Sequence, residues 1–181
     1  VRLAQAHYGH LGRLLWEFLW FPWLSQRRRL AMVRVENLDA LLGAASSIYA
    51  LEGLPAAKAF MDGAPASLQA RPAYWMAMGG LDATGGELAA AEQAYQKALE
   101  AADQAGPGNG GDRLMALGAL AETQMRQGKI EEATATAALL EKAAPRNPLV
   151  KQLRAQVAAA AGNLDEARTL LDGGLEATGG N

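Results

Sequence analysis

Two histidines, His7 and His10, are the only imidazoles in the chain, and three residues apart they would share one face of a helix. A stable metal site wants three or four ligands, and neither carboxylate nor thiol lies near them in sequence, so a solvent-facing pair is expected and no metal. Glu131 and Glu132 are adjacent, whereas general acid work needs a second carboxylate across an enclosed pocket. At a helix start they serve the helix dipole instead. The run Gly106-Pro107-Gly108-Asn109-Gly110-Gly111 matches G-x-G-x-x-G in letters. Nothing strand-like precedes it and Pro107 removes a donor from any phosphate cradle, so it reads as a flexible loop. Cysteine is absent, which rules out a thiol nucleophile, a disulfide framework and a Cys-based zinc site. No G-x-S-x-G, H-E-x-x-H or G-K-[ST] occurs. The expectation is a protein without catalytic residues, metal or cofactor.

The elements that position side chains are expected to be helices alone. Half of the residues are apolar but only 6% are aromatic, and alanine recurs throughout, a mixture that favours tightly packed helices over sheet. Glycine and proline punctuate the chain: Gly53, Gly86, Gly128 and Gly162 are expected to end helices in a left-handed conformation, and Pro72 and Pro148 to begin them. The spacing predicts helix pairs at 38–51 with 54–64, 72–84 with 87–104, 113–127 with 129–143, and 148–161 with 164–177.

The strongest signal is self-similarity. EGLPAAKAFMDGA, GELAAAEQAYQKA, GKIEEATATAALL and GNLDEARTLLDGG align, and starts at Leu38, Pro72, Leu114 and Pro148 step by 34, 42 and 34 residues. The middle step is lengthened by residues 106–113. Small residues recur where two helices must touch: Ala57, Ala91, Ala133 and Ala167 in one register, Ala45, Gly79, Ala121 and Ala155 in another. A period of 34 with these positions resembles the tetratricopeptide repeat family. The match is closest in the second repeat, at Trp75, Gly79, Gly86, Ala91, Tyr95 and Ala98. The third adds Leu117, Leu120, Gly128, Ala133 and Pro145. Departures are Glu52 at a turn glycine and Gly173 and Gly174 in the last helix, which is expected to fray.

The resemblance implies an α-solenoid of about four helix hairpins (38–71, 72–105, 114–147 and 148–181, with a loop at 106–113) that acts as a scaffold. Its concave groove, lined by the first helix of each pair, would hold a protein or peptide partner. Carried over by register, the liners are Asp39, Leu42, Ser46 and Tyr49, then Met76 and Thr84, then Met115, Glu122, Met125 and Arg126, and finally Gln152 and Gln156. The methionines suit either core filling or an adaptable surface. Chaperone-binding members of the family clamp a C-terminal carboxylate with Lys and Asn in the early repeats. Those registers here hold Leu42 and Ser46, so no such clamp is expected.

Residues 1–37 do not fit the repeat. They carry six Arg against two Glu, whereas 38–181 carry eleven basic against seventeen acidic residues. Aromatics cluster at Trp16, Phe18, Trp20, Phe21 and Trp23, followed by Arg27, Arg28 and Arg29. Rings beside arginines suit the interface of an anionic membrane. The same helical segment would equally serve as a cap on the open end of the array. Arg13 and Glu17 interrupt the apolar run, which argues against a full span. The segment from His10 to Leu38 is similar to the region before the catalytic motif of bacterial lipid A acyltransferases, but the acid five positions after a histidine is missing: Gly12 and Leu15 stand there. The order of aromatic helix, arginines and alanine-rich repeats is also similar to HemY-like bacterial inner-membrane repeat proteins. These likenesses imply a cytoplasmic or peripheral inner-membrane setting, with an envelope-biogenesis accessory or a non-catalytic acyltransferase fragment as the alternatives to a scaffold. The acidic array disfavours nucleic acid.

Overall fold

The computed structural model describes residues 37–178, and among them every regular element is helical. The helices are α1 (Leu38–Glu52), α2 (Leu54–Asp62), α3 (Ala66–Gln69), α4 (Pro72–Thr84), α5 (Leu88–Gln104), α6 (Gly110–Arg126), α7 (Ile130–Ala143), α8 (Pro148–Ala160) and α9 (Leu164–Thr178), with a 3-10 turn at Pro107–Asn109. The aromatic and arginine positions expected at a membrane or cap, and both histidines, lie outside the described residues.

The starts follow local chemistry. Asn37 and Asn147 accept hydrogen bonds through Oδ1 from the N–H groups of Asp39 (2.9 Å) and Leu149 (3.0 Å). Each such cap is worth about 1 kcal/mol. Pro72 and Pro148 open α4 and α8, where a missing N–H costs nothing.

Three of the turns within pairs are built alike. Gly86, Gly128 and Gly162 have φ of 82, 76 and 83°. In each case the residue after the glycine donates five residues back: Glu87 to Asp82 O (2.8 Å), Lys129 to Gln124 O (2.9 Å) and Asn163 to Ala158 O (2.8 Å). The glycine N–H groups donate to Ala83, Met125 and Ala159 O. This pair of bonds satisfies the last helical carbonyls and requires a residue without a Cβ penalty. The first turn differs. Helix α1 runs through Glu52, where the other pairs hold the turn glycine, so the chain reverses at Gly53 alone, with φ 85° and ψ −178°. Gly53 ends α1 with a positive φ as expected, but its extended ψ departs from the left-handed turn of the other three pairs.

Two further boundaries moved. The second helix of the first pair ends at Asp62 rather than 64, because Pro65 disfavours helical geometry at Ala64 and lacks an N–H. A one-turn helix, α3, follows, tied back by Gln69 Nε2 donating to Ala64 O (2.9 Å). The expected loop at 106–113 shrinks to a 3-10 turn, and α6 begins at Gly110. Asp112 favours that helix start, and Arg113 Nε donates to Asp103 Oδ1 (2.8 Å), joining α6 to the end of α5.

The two helices of each pair pack together, successive pairs pack on each other, and the first helices α1, α4, α6 and α8 also touch one another in order. The interior is made of small and medium side chains. Leu41, Met61, Tyr74 and Leu117 are the largest fully buried ones. Tyr74 OH donates to Met61 O (3.1 Å), and burial pushes its phenol up to about 12, with Asp62 adding to the effect. Gly79 lets α4 meet α5: a Cβ there would fall 2.5 Å from the Tyr95 ring.

Candidate functional site

The shared face of the first helices carries two troughs. One, of about 340 Å³, lies between α1 and α4 and is lined by Leu42, Ala45, Ser46, Tyr49, Gly80 and Thr84, among others. Ser46 Oγ and Thr84 Oγ1 donate to the carbonyls of Leu42 (3.0 Å) and Gly80 (2.7 Å) in their own helices, so each offers only an acceptor to a visitor. The second, of about 380 Å³, lies between α6 and α8. Its floor is Leu114, Leu140, Val150 and Leu153, and its rim carries Met115, Glu122, Gln152 and Gln156. Among the described residues neither glutamine has a hydrogen-bond partner, so both amides can donate and accept.

Eight expected liners therefore fall in the troughs: Leu42, Ser46, Tyr49 and Thr84 in the first, Met115, Glu122, Gln152 and Gln156 in the second. Four do not. Met76 is half-buried against Ala91, Tyr95 and Leu120, and Met125 against Ala133, Ala137 and Val157. Both fill the space between pairs, whereas Met115 is exposed. Arg126 donates from Nη2 to Ala83 O (3.3 Å) at the end of α4, between the troughs. Asp39 is exposed in the first turn of α1.

Residues missed by register are Gly80 and Gly118, which line the troughs by lacking side chains. They stand at the repeat positions of Ser46 and Leu42. No heavy atom would lie within 4 Å of a Cβ at either, so the hollow there is open space.

Charged side chains away from the troughs join successive pairs. Lys58 Nζ is 2.6 Å from Asp82 Oδ1 and 3.0 Å from Glu87 Oε2, and Asp82 is 3% exposed. The Asp82 carboxylate, then Glu87, hold the Lys58 ammonium above its usual range. Glu92, 8% exposed, accepts from Lys129 Nζ (2.6 Å), Gln127 Nε2 (2.9 Å) and Gln124 Nε2 (3.4 Å). Burial opposes its charge, but those donors outweigh burial and hold its carboxyl below the ordinary value. Three donors thus hold the Glu92 carboxylate charged and fixed at the junction between the second and third pairs. Arg154 bridges Glu141 of α7 and Glu166 of α9.

Among the described residues no three His, Asp or Glu side chains gather where they could hold a metal ion, and no helix is long and apolar enough to cross a membrane. No known family model matches the chain, and no curated protein matches it.

Proposed function

We propose that residues 38–181 are four tetratricopeptide-type helix pairs forming an α-solenoid, a non-enzymatic scaffold that holds a segment of a partner protein. The observation that carries this reading is that eight liners chosen by repeat register alone gather into two troughs on the face shared by the first helices. An apolar floor takes apolar side chains from the visitor. The rim amides of Gln152 and Gln156 suit its backbone, since an amide matches both the N–H and the C=O of an extended chain. On this reading the protein works in the cytoplasm or peripherally at a bacterial inner membrane. Support for that setting is the arginine-flanked aromatic segment.

The test is selection of random peptides displayed on phage against the full chain, with counter-selection on Met115→Glu. Enriched peptides that bind the natural chain and lose at least tenfold in affinity for Met115→Glu support the groove. Peptides that bind both equally, or no enrichment at all, overturn it.

A further inference from the structure

The last described helix, α9, exposes Leu164 and Leu171, at 68% and 49%. Scattered surface leucines are ordinary. These two occupy a special register. By the steps of 34, 42 and 34, Leu171 stands where Met61, Tyr95 and Ala137 stand in the earlier pairs, and all three of those are buried. The next pair's first helix covers each: Tyr74 reaches Met61, Leu120 packs on Tyr95, and Val157 on Ala137. Leu164 stands where Leu54, Leu88 and Ile130 stand. Leu54 Cδ2 fills the space beside Gly85, and Gln127 Nε2 donates to Leu88 O (3.3 Å), each contact involving the residue that caps the next first helix. Helix α9 thus presents a surface that receives a following pair three times within this chain. Among the described residues nothing covers it.

The opposite end of the array carries the complementary register. Helix α1 presents Ala44, Ile48 and Leu51 in one stripe; Leu51 is 83% exposed and the other two are half-buried. Leu51 stands at the position of Gly85 and Gln127, the residues that reach Leu54 and Leu88. Ala44 stands at the position of Met78 and Leu120, which pack in the clusters of Met61 and Tyr95. A large Leu171 would therefore meet a small Ala44, and Leu164 would meet Leu51.

We propose that copies of this chain associate head to tail, the α9 end of one copy seated on α1 of the next in the geometry of the junctions between pairs. A contact of this kind joins two different surfaces and does not close on itself unless the rotation permits, so assembly lengthens with concentration. It goes beyond the groove and depends on how successive pairs pack and on the α1 face being free of the segment before it, so it stands or falls separately from peptide binding.

The test is sedimentation velocity of the full chain over a micromolar to submillimolar series, with Leu51→Glu and with the double variant Leu164→Glu/Leu171→Glu, each checked for helicity by circular dichroism. The natural chain is expected to grow beyond a dimer, and each variant alone to stay monomeric. Mixed, they are expected to form a one-to-one dimer, because each keeps the end the other has lost. If the double variant loses helicity, Leu164→Glu alone replaces it. A monomeric natural chain, a variant that still assembles alone, or a mixture that stays monomeric each overturns the proposal.

Discussion

Lys58 and Glu92 stand at the same position of successive helix pairs, carry opposite charge, and are each bound by the pair that follows. Lys58 meets Asp82 and Glu87; Glu92 meets Gln124 and Lys129, which occupy the registers of Asp82 and Glu87. The third pair has Thr134 there, facing the registers of Ala158 and Asn163. This register is thus realised with the charges one way, then the other, then uncharged, while Arg154 and Glu141 pair elsewhere across the third junction. Such an arrangement penalises docking of the pairs in the wrong order, since like charges would then meet.

Glu92→Gln is expected to cost about 1 kcal/mol, because hydrogen bonds survive and half-exposed Lys129 finds water. Glu92→Lys sets two ammonium groups against each other and is expected to cost about 3 kcal/mol. Adding Lys129→Glu should recover most of that. Urea midpoints read all three, and a double variant no more stable than Glu92→Lys would remove the pairing from the account.

Gly79→Ala and Gly85→Ala look equally tight but should differ. The added methyl at Gly79 meets the Tyr95 ring, which is buried and cannot retreat; at Gly85 it meets Leu54 Cδ2, the free end of a flexible side chain. Overpacking at Gly79 is expected to cost about 2 kcal/mol. Gly85→Ala should be near neutral, and thermal unfolding of the two variants side by side separates them.

Stability should fall at both ends of the pH range. The Glu92 carboxyl lies below its ordinary 4.5 in the folded protein, so its contribution is complete above that value and is lost as pH falls through the folded one. Lys58 lies above its ordinary 10.5 and Tyr74 moves from 10.0 to about 12, so their contributions are complete below the ordinary values and lost as pH rises through the folded ones. Urea midpoints against pH should show an acid limb flattened by Glu92→Gln. Between pH 10 and 12 they should show an alkaline limb flattened by Tyr74→Phe. An alkaline limb unchanged in Tyr74→Phe would assign it to Lys58 and to Tyr95, whose phenol burial also raises.

Filling the second trough should separate stability from binding. Gly118→Leu projects into open space and replaces a poor helix former with a good one, so stability should rise by about 0.5 to 1 kcal/mol. Peptides selected on the natural chain should lose at least tenfold in affinity. Retained affinity would place them elsewhere on the surface.

The aromatic segment makes its own prediction from sequence. The full chain should sediment with anionic vesicles, and replacing Trp16, Trp20 and Trp23 by Ser should release it without loss of helicity. Release accompanied by loss of helicity would point to a cap instead.

The sequence by itself determined the helices and their pairing. Helix starts at Pro72 and Pro148 and stops at Gly86, Gly128 and Gly162 are local facts. Backbone dihedrals and hydrogen bonds within a few residues enforce them, so a string of letters carries them whole. It failed where a local feature had two outcomes. Residues 106–113 read as a loop, yet their second half forms the first turn of α6, where Arg113 pairs with Asp103 of α5. Gly80 and Gly118 shape the troughs by having no side chain, which no search for functional groups would find. Tertiary structure alone decided that Met76 and Met125 point between pairs while Met115 faces solvent, and that Lys58 and Glu92 find opposite partners in the same register. Those outcomes depend on how one helix pair is rotated against the next. Contacts between residues some 25 to 40 positions apart set that rotation, and the type of any single residue does not encode it.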